Sequence, residues 1–170
     1  LRLTRRYNDS AMLPETTSRR YAYLKIAVGS DHAGYKLKEE VVDLLRTGGY
    51  DFKDFGTFSE DSVDYPDIAR EVAETVASGA YDRGILVCGT GIGMCITANK
   101  VPGIRAALCF EQYMAKVARE HNDANILVLG GRTTGVEIAK EIVRVWLNTS
   151  FDPKSRHARR VAKIEPHSNQ

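Results

Sequence analysis

The reactive side chains of this sequence sit close behind short apolar runs, and their types suit proton transfer on a small anion. Cys88 closes Arg83–Cys88 (RGILVC) and opens the turn Gly89-Thr90-Gly91-Ile92-Gly93. Backbone N–H groups of such a turn converge at a helix start, where an anion is favoured. The same surroundings favour a cysteine thiolate, which can serve as a base. No Lys-Ser/Thr follows the turn, so it is not a nucleotide-binding P-loop, and its spacing is not G-x-G-x-x-G. Asp31-His32 follows Leu24–Gly29 (LKIAVG), His121 stands in Arg-Glu-His-Asn-Asp, and Arg132 follows Gly130-Gly131. Arg156, Arg159 and Arg160 add charge near the end.

Each of these residues also has a plain structural use. The glycines suit any tight strand-to-helix turn, and Cys88 suits core packing. Asp31 suits a helix N-cap, His121 a cation at a helix C-terminus, and the arginines solvent. Cys95 and Cys109 read as core. Taken together, a thiol, a carboxylate, imidazoles and phosphate-binding groups are expected at one edge of one sheet. That set suits proton transfer beside the carbonyl of a small phosphorylated substrate.

Positioning them takes alternating strands and helices, and the hydrophobic pattern supplies these. Leu24–Gly29 reads as a buried strand. Tyr35–Arg46 reads as a helix, with Leu37, Val41, Val42, Leu44 and Leu45 at helical spacing and Gly48-Gly49 as its stop. Tyr50–Phe55 is a more polar second strand, and Pro66 opens a helix through Ile68, Val72, Ala73 and Val76 to Gly79. Arg83–Cys88 is the third strand, followed by a short helix near Met94–Asn99. Ile104–Cys109 and Ile126–Leu129 are the fourth and fifth strands, with a helix over Glu111–Glu120 between them. Thr134–Leu147 is a long helix carrying Ile138, Ile142, Val145 and Trp146 on one side. Five apolar strands alternating with helices predict an α/β fold, an open parallel sheet covered on both faces. Right-handed crossovers make it a three-layer Rossmann-like, or flavodoxin-like, sheet whose ligands lie beyond the carboxyl ends of the strands. The expected organisation is an N-terminal extension over 1–23, one α/β domain over 24–150 and a basic C-terminal tail over 151–170.

Composition narrows the classes. The 170 residues are 43% hydrophobic and 27% charged, which excludes wholesale disorder. No uncharged apolar run reaches the roughly 20 residues of a membrane helix, so no membrane partner is expected. Twenty-four basic against 22 acidic residues give +2, too balanced to argue for nucleic acid. Residues 1–23 and 151–170 each carry +3, leaving the body between them at −4. A basic tail on a mildly acidic body suits an anionic small ligand. Three cysteines without C-x-x-C spacing and four scattered histidines do not suggest zinc, and no cofactor or metal is expected. The Arg-rich start lacks the pattern of a secretory signal, so a cytoplasmic location is expected.

The motifs Gly-Ser-Asp-His-Ala-Gly (29–34), Asp-Tyr-Pro (64–66), Cys-Gly-Thr-Gly-Ile-Gly (88–93), Ala-Asn-Lys (98–100), Gly-Ile-Arg-Ala (103–106), His-Asn-Asp (121–123) and Arg-His-Ala-Arg-Arg-Val (156–161) resemble the ribose-5-phosphate isomerase type B family. That family also includes galactose-6-phosphate isomerase subunits. The resemblance runs in order from about Leu24 to Ile164. It implies metal-free interconversion of ribose 5-phosphate and ribulose 5-phosphate. Cys88 would be the base that moves a proton between C1 and C2. Some relatives use a Glu at the position of Met94 instead, and Met94 cannot act as a base. Thr90 would assist, and the amides of Gly89, Gly91 and Gly93 would lie within the stretch that stabilises the enediolate oxygen. His121 would open the furanose ring, Asn122 would position the sugar, and Asp31 would move protons at its oxygens. Tyr65 and Asn99 would line the pocket, and His32, Arg132, Arg156 and Arg160 would bind the phosphate. The resemblance also implies a homodimer or dimer of dimers, with the tail arginines completing a neighbour's site. The alternatives are an isomerase for a six-carbon sugar phosphate (allose 6-phosphate or galactose 6-phosphate) and a non-catalytic sugar-phosphate-binding domain. The latter needs the phosphate groups but not Cys88 and His121 together.

Overall fold

The computed structural model describes residues 24–165, so the expected extension 1–23 and residues 166–170 lie outside it. Its strands are β1 (Lys25–Ser30), β2 (Asp51–Asp54), β3 (Arg83–Cys88), β4 (Ala106–Leu108) and β5 (Ile126–Gly130). Its helices are α1 (Tyr35–Thr47), α2 (Tyr65–Ala77), α3 (Ile92–Ala98), α4 (Gln112–Asn122), α5 (Val136–Asn148) and α6 (Arg156–Val161). All strand pairs are parallel, in the order β2-β1-β3-β5-β4. The most apolar runs, β1, β3 and β5, take the interior, and the half-buried β2 and β4 take the edges. The expected three-layer α/β sheet is present, with its last two strands exchanged relative to the flavodoxin order.

Alternate strand residues point to opposite faces, and each face carries its own apolar layer. Ile26, Val28, Ile85, Val87, Leu127 and Leu129 pack against α1, α4 and α5. Ala27, Leu86, Cys88 and Val128 pack against α2 and α3. The chain therefore leaves the neighbouring strands β1 and β3 toward opposite faces. Their carboxyl ends open a crevice, the usual ligand position in an open α/β sheet.

Several expected details shift. β4 covers three residues rather than Ile104–Cys109, because Arg105 instead exchanges bonds with Asn125 in the turn that feeds β5. Helix α3 begins at Ile92 and buries Met94 completely, whereas Cys95 is only half-buried. Helix α5 begins two residues later than expected. Its buried stripe is Ala139, Ile142, Val143, Trp146 and Leu147, while Ile138 is exposed and Val145 partly so. Lys38 shares the stripe of Val41, Val42 and Leu45 at helical spacing, and its charged side chain is fully buried there. Its Nζ bonds Asp54 Oδ2 (2.5 Å) and the Thr57 carbonyl (2.7 Å), beneath the Tyr35 and Phe58 rings. A buried cation survives only when paired in this way. It clamps the segment after β2 against α1.

Trp146 is fully buried, with the Arg83 and Arg119 guanidiniums 5.1 and 6.0 Å from its ring. Arg83 also donates to the Trp146 and Leu147 carbonyls, both at 3.0 Å. Trp146→Ala is expected to lower the unfolding free energy by about 3–5 kcal/mol, read as an earlier midpoint in urea denaturation.

Candidate active site

The crevice beyond β1 and β3 is lined by Asp31, His32, Tyr65, Cys88, Gly89, Thr90, Gly93 and Arg132, with Ile92 and Ile96 from α3. Its floor depends on two glycines. A Cβ at Gly34 would stand 2.2 Å from the Val87 carbonyl oxygen, so only glycine lets α1 start this close to β3. Gly91 has φ +81°, and a Cβ there would fall 2.4 Å from Leu108 Cδ1. That conformation aims the Gly91 N–H at Cys88 Sγ, 3.2 Å away. The thiol is buried and meets a backbone dipole at the mouth of the turn.

Asp31 is buried, and its Oδ1 accepts the Gly34 N–H (2.9 Å) at the start of α1. It therefore serves the helix start and lines the crevice at once. His32 Nδ1 accepts the Val63 N–H (3.3 Å), which leaves the ring's own N–H on Nε2. Thr90 Oγ1 accepts the Ile92 N–H at 3.4 Å. Gly131 N–H donates to the Cys88 carbonyl (2.7 Å) and Arg132 N–H to the Gly89 carbonyl (2.9 Å). The exit of β5 is thereby laced to the exit of β3, and this brings Arg132 to the crevice.

His121, Asn122, Arg156 and Arg160 are not in this crevice, which corrects the expectation of a single edge. A helix that follows a parallel strand runs back along the sheet. Helix α4 therefore ends beside the amino end of β5, at the edge opposite Cys88. There His157 of α6 stacks on His121, with centroids 4.0 Å apart and planes 11° apart. Burial, then the neighbouring His121, Arg156 and Arg160, hold His157 below its ordinary range. His157 lies within the Arg-His-Ala-Arg-Arg-Val motif, but the sequence reading gave it no role. Asn99 also lies outside the crevice. It caps α3, with Nδ2 donating to the Cys95 (3.0 Å) and Ala106 (2.9 Å) carbonyls and Oδ1 accepting the Ala106 N–H (2.8 Å). Its polar atoms join α3 to β4.

Comparison with known proteins bears on this arrangement. The family model described as Ribose/Galactose Isomerase matches residues 26–164. Ribose-5-phosphate isomerase B of Escherichia coli (strain K12) is 49% identical over 140 residues, covering 82% of this chain and 93% of its own. The D-erythrulose-4-phosphate isomerase of Pectobacterium atrosepticum is 46% identical over 131 residues, covering 76% and 86%. The solved structure of Clostridium thermocellum Ribose-5-Phosphate Isomerase B matches with a TM-score of 0.81 at 57% identity, over 83% of this chain and 95% of that one.

The other two thiols differ from Cys88 in their surroundings. Burial pushes the Cys95 thiol up, and pushes Cys109 up to about 12. Cys109 is therefore a neutral, enclosed thiol near neutral pH. Iodoacetamide at pH 8 is expected to leave Cys109 unlabelled in the native protein and to label it after unfolding in urea, with peptide mass spectrometry as the check.

Proposed function

Because the chain belongs to the ribose/galactose isomerase family, we propose that it interconverts ribose 5-phosphate and ribulose 5-phosphate at a site built by two copies of itself. The observation that carries this reading is the buried Cys88 thiol against the Gly91 amide, in a crevice that also holds Asp31, His32 and Arg132. In the open-chain aldose, the Cys88 thiolate takes the C2 proton and returns it to C1. Charge develops on the carbonyl oxygen in between, where Thr90 and the amides of residues 89–93 stabilise the enediolate. Asp31 carries the proton that must pass between the two sugar oxygens. His32 Nε2–H and the Arg132 guanidinium hold the phosphate, which fixes the reacting carbons and lowers the entropic part of the barrier.

Ribose 5-phosphate is mostly a furanose, and its ring must open first. His121 protonates the ring oxygen as the C1–O bond breaks, the anomeric hydroxyl gives up its proton as the C1 carbonyl forms, and Asn122 holds the sugar. An acid must come within hydrogen-bonding reach of the atom it protonates. His121 stands at the opposite edge of its own sheet, so a second copy presents it, together with Arg156 and Arg160. A two-fold axis makes two such sites at once, giving a homodimer that can pair again into a dimer of dimers. Exposed Ile92, Ile96 and Tyr65 flank the crevice and supply apolar surface for that contact. A base thiol must stay reduced, which suits the cytoplasm.

On the purified protein, ribose 5-phosphate is expected to give a higher kcat/KM than allose 6-phosphate or erythrulose 4-phosphate. A higher value for either of the others would reassign the substrate's length. Cys88→Ala should lower kcat by about 10²–10⁴-fold with the urea midpoint nearly unchanged. With His121→Ala, the rate on ribose 5-phosphate should stop rising with enzyme concentration, because spontaneous ring opening then limits it. Ribulose 5-phosphate cannot close a furanose through its phosphorylated C5 oxygen. Its conversion by the same variant should remain proportional to enzyme, and a plateau in neither direction would remove His121 from ring opening.

A further inference from the structure

Two motif residues have no part in the chemistry above: Arg105, at the entrance of β4, and Asp123, directly after His121-Asn122. They meet. Arg105 Nε donates to the Asn122 and Asp123 carbonyls, both at 3.1 Å, and Nη2 pairs with Asp123 Oδ2 at 3.3 Å. Its Nη1 bonds Glu165, a short step beyond the end of α6. From the other side, Arg119 Nη1 pairs with Asp123 Oδ1 (2.9 Å). Asp123 is the C-cap of α4 at φ +46°, a left-handed conformation that a non-glycine residue seldom takes. The Arg105 side chain is only 17% exposed, and its backbone is anchored to Asn125 in both directions. One planar fork thus holds both the peptide behind the His121-Asn122 pair and the segment that closes α6. A lysine cannot span these acceptors, since it offers a point charge rather than a fork.

We propose that Arg105 is a positioning residue, which sets His121 and the α6 arginines in one register so that they reach the neighbouring chain as a unit. The proposal rests on the two-chain reading above. Loss of the fork shifts an acid whose placement matters on the scale of 1 Å, a displacement that costs about 10²-fold in rate.

The test is a double-mutant cycle on the full chain between Arg105→Met and His121→Ala, read as turnover of ribose 5-phosphate at enzyme concentrations low enough that every rate stays proportional to enzyme. Arg105→Met alone is expected to lose about 10²-fold. The double variant should lose no more than His121→Ala alone, because the fork acts through His121. Losses that multiply would overturn the proposal, as would near-normal kcat in Arg105→Met. Whether His121→Ala shows the ring-opening plateau is a separate readout, so failure of the ring-opening role is distinguishable from failure of the positioning role. Arg105→Lys keeps the charge and covers the case in which Arg105→Met does not fold. It should fold and recover only part of kcat, and full recovery would show that charge alone suffices and sink the fork. Glu165→Gln releases only the α6 end and should raise KM with kcat held. An unchanged KM would remove α6 from the proposed register.

Discussion

A helix that follows a parallel strand must carry the chain back to the sheet's other edge, and the placement of the chemistry follows from this constraint. Groups in the loops directly after β1, β3 and β5 collect at the carboxyl edge. Groups at the far end of α4, and those packed on it from α6, collect at the amino edge. Cys88 and His121 belong to opposite sets, so no adjustment of side chains within one chain brings the thiol and the imidazole to one sugar. On the proposed reading, two-fold pairing is the simplest arrangement that joins the sets, and the oligomer would then be part of the catalyst.

The two edges are built by different physics. At the carboxyl edge the backbone does most of the positioning. The absence of a Cβ at Gly34 lets α1 begin against β3, and the left-handed turn at Gly91 points an amide at the thiol. Such preorganised dipoles can stabilise a developing oxyanion without reorganising during the reaction. At the amino edge, charged side chains do the positioning. Asp123 is gripped by Arg105 and Arg119, and α6 is held through Glu165 and the His121–His157 stack. Substrate phosphate suits both edges, since each ends in exposed arginine: Arg132 on one, Arg156 and Arg160 on the other.

Strand positions were legible because buried parallel strands are nearly continuous apolar runs, and β1, β3 and β5 stand close to where those runs lie. The carboxyl-edge residues were legible for the same reason, since each follows such a run closely. Direction was implied by the parallel sheet but not carried through to the residues. His121 also follows a strand and its helix in sequence, yet the return of α4 carries it to the other edge. Polar residues with structural duties were equally hidden. Lys38 lies on the buried stripe of α1 by spacing, but the partners that let a cation sit there, Asp54, the Thr57 carbonyl and Glu39, show only in the fold. Asn99 belongs to a motif of the family, and its side chain bonds its own backbone neighbours instead of lining the crevice. Ile104-Arg105 has strand-like character, but the side chain of Arg105 is committed to the α4 terminus.

The shared site is tested most directly by mixing two inactive proteins, Cys88→Ala and Arg160→Ala, under conditions in which subunits exchange. Random pairing makes about half the dimers mixed, and each mixed dimer holds one site with both defects and one with neither. Activity should therefore recover to about a quarter of the unaltered protein's. No recovery, with exchange verified by mass spectrometry of the mixed dimers, would contradict a site built by two chains.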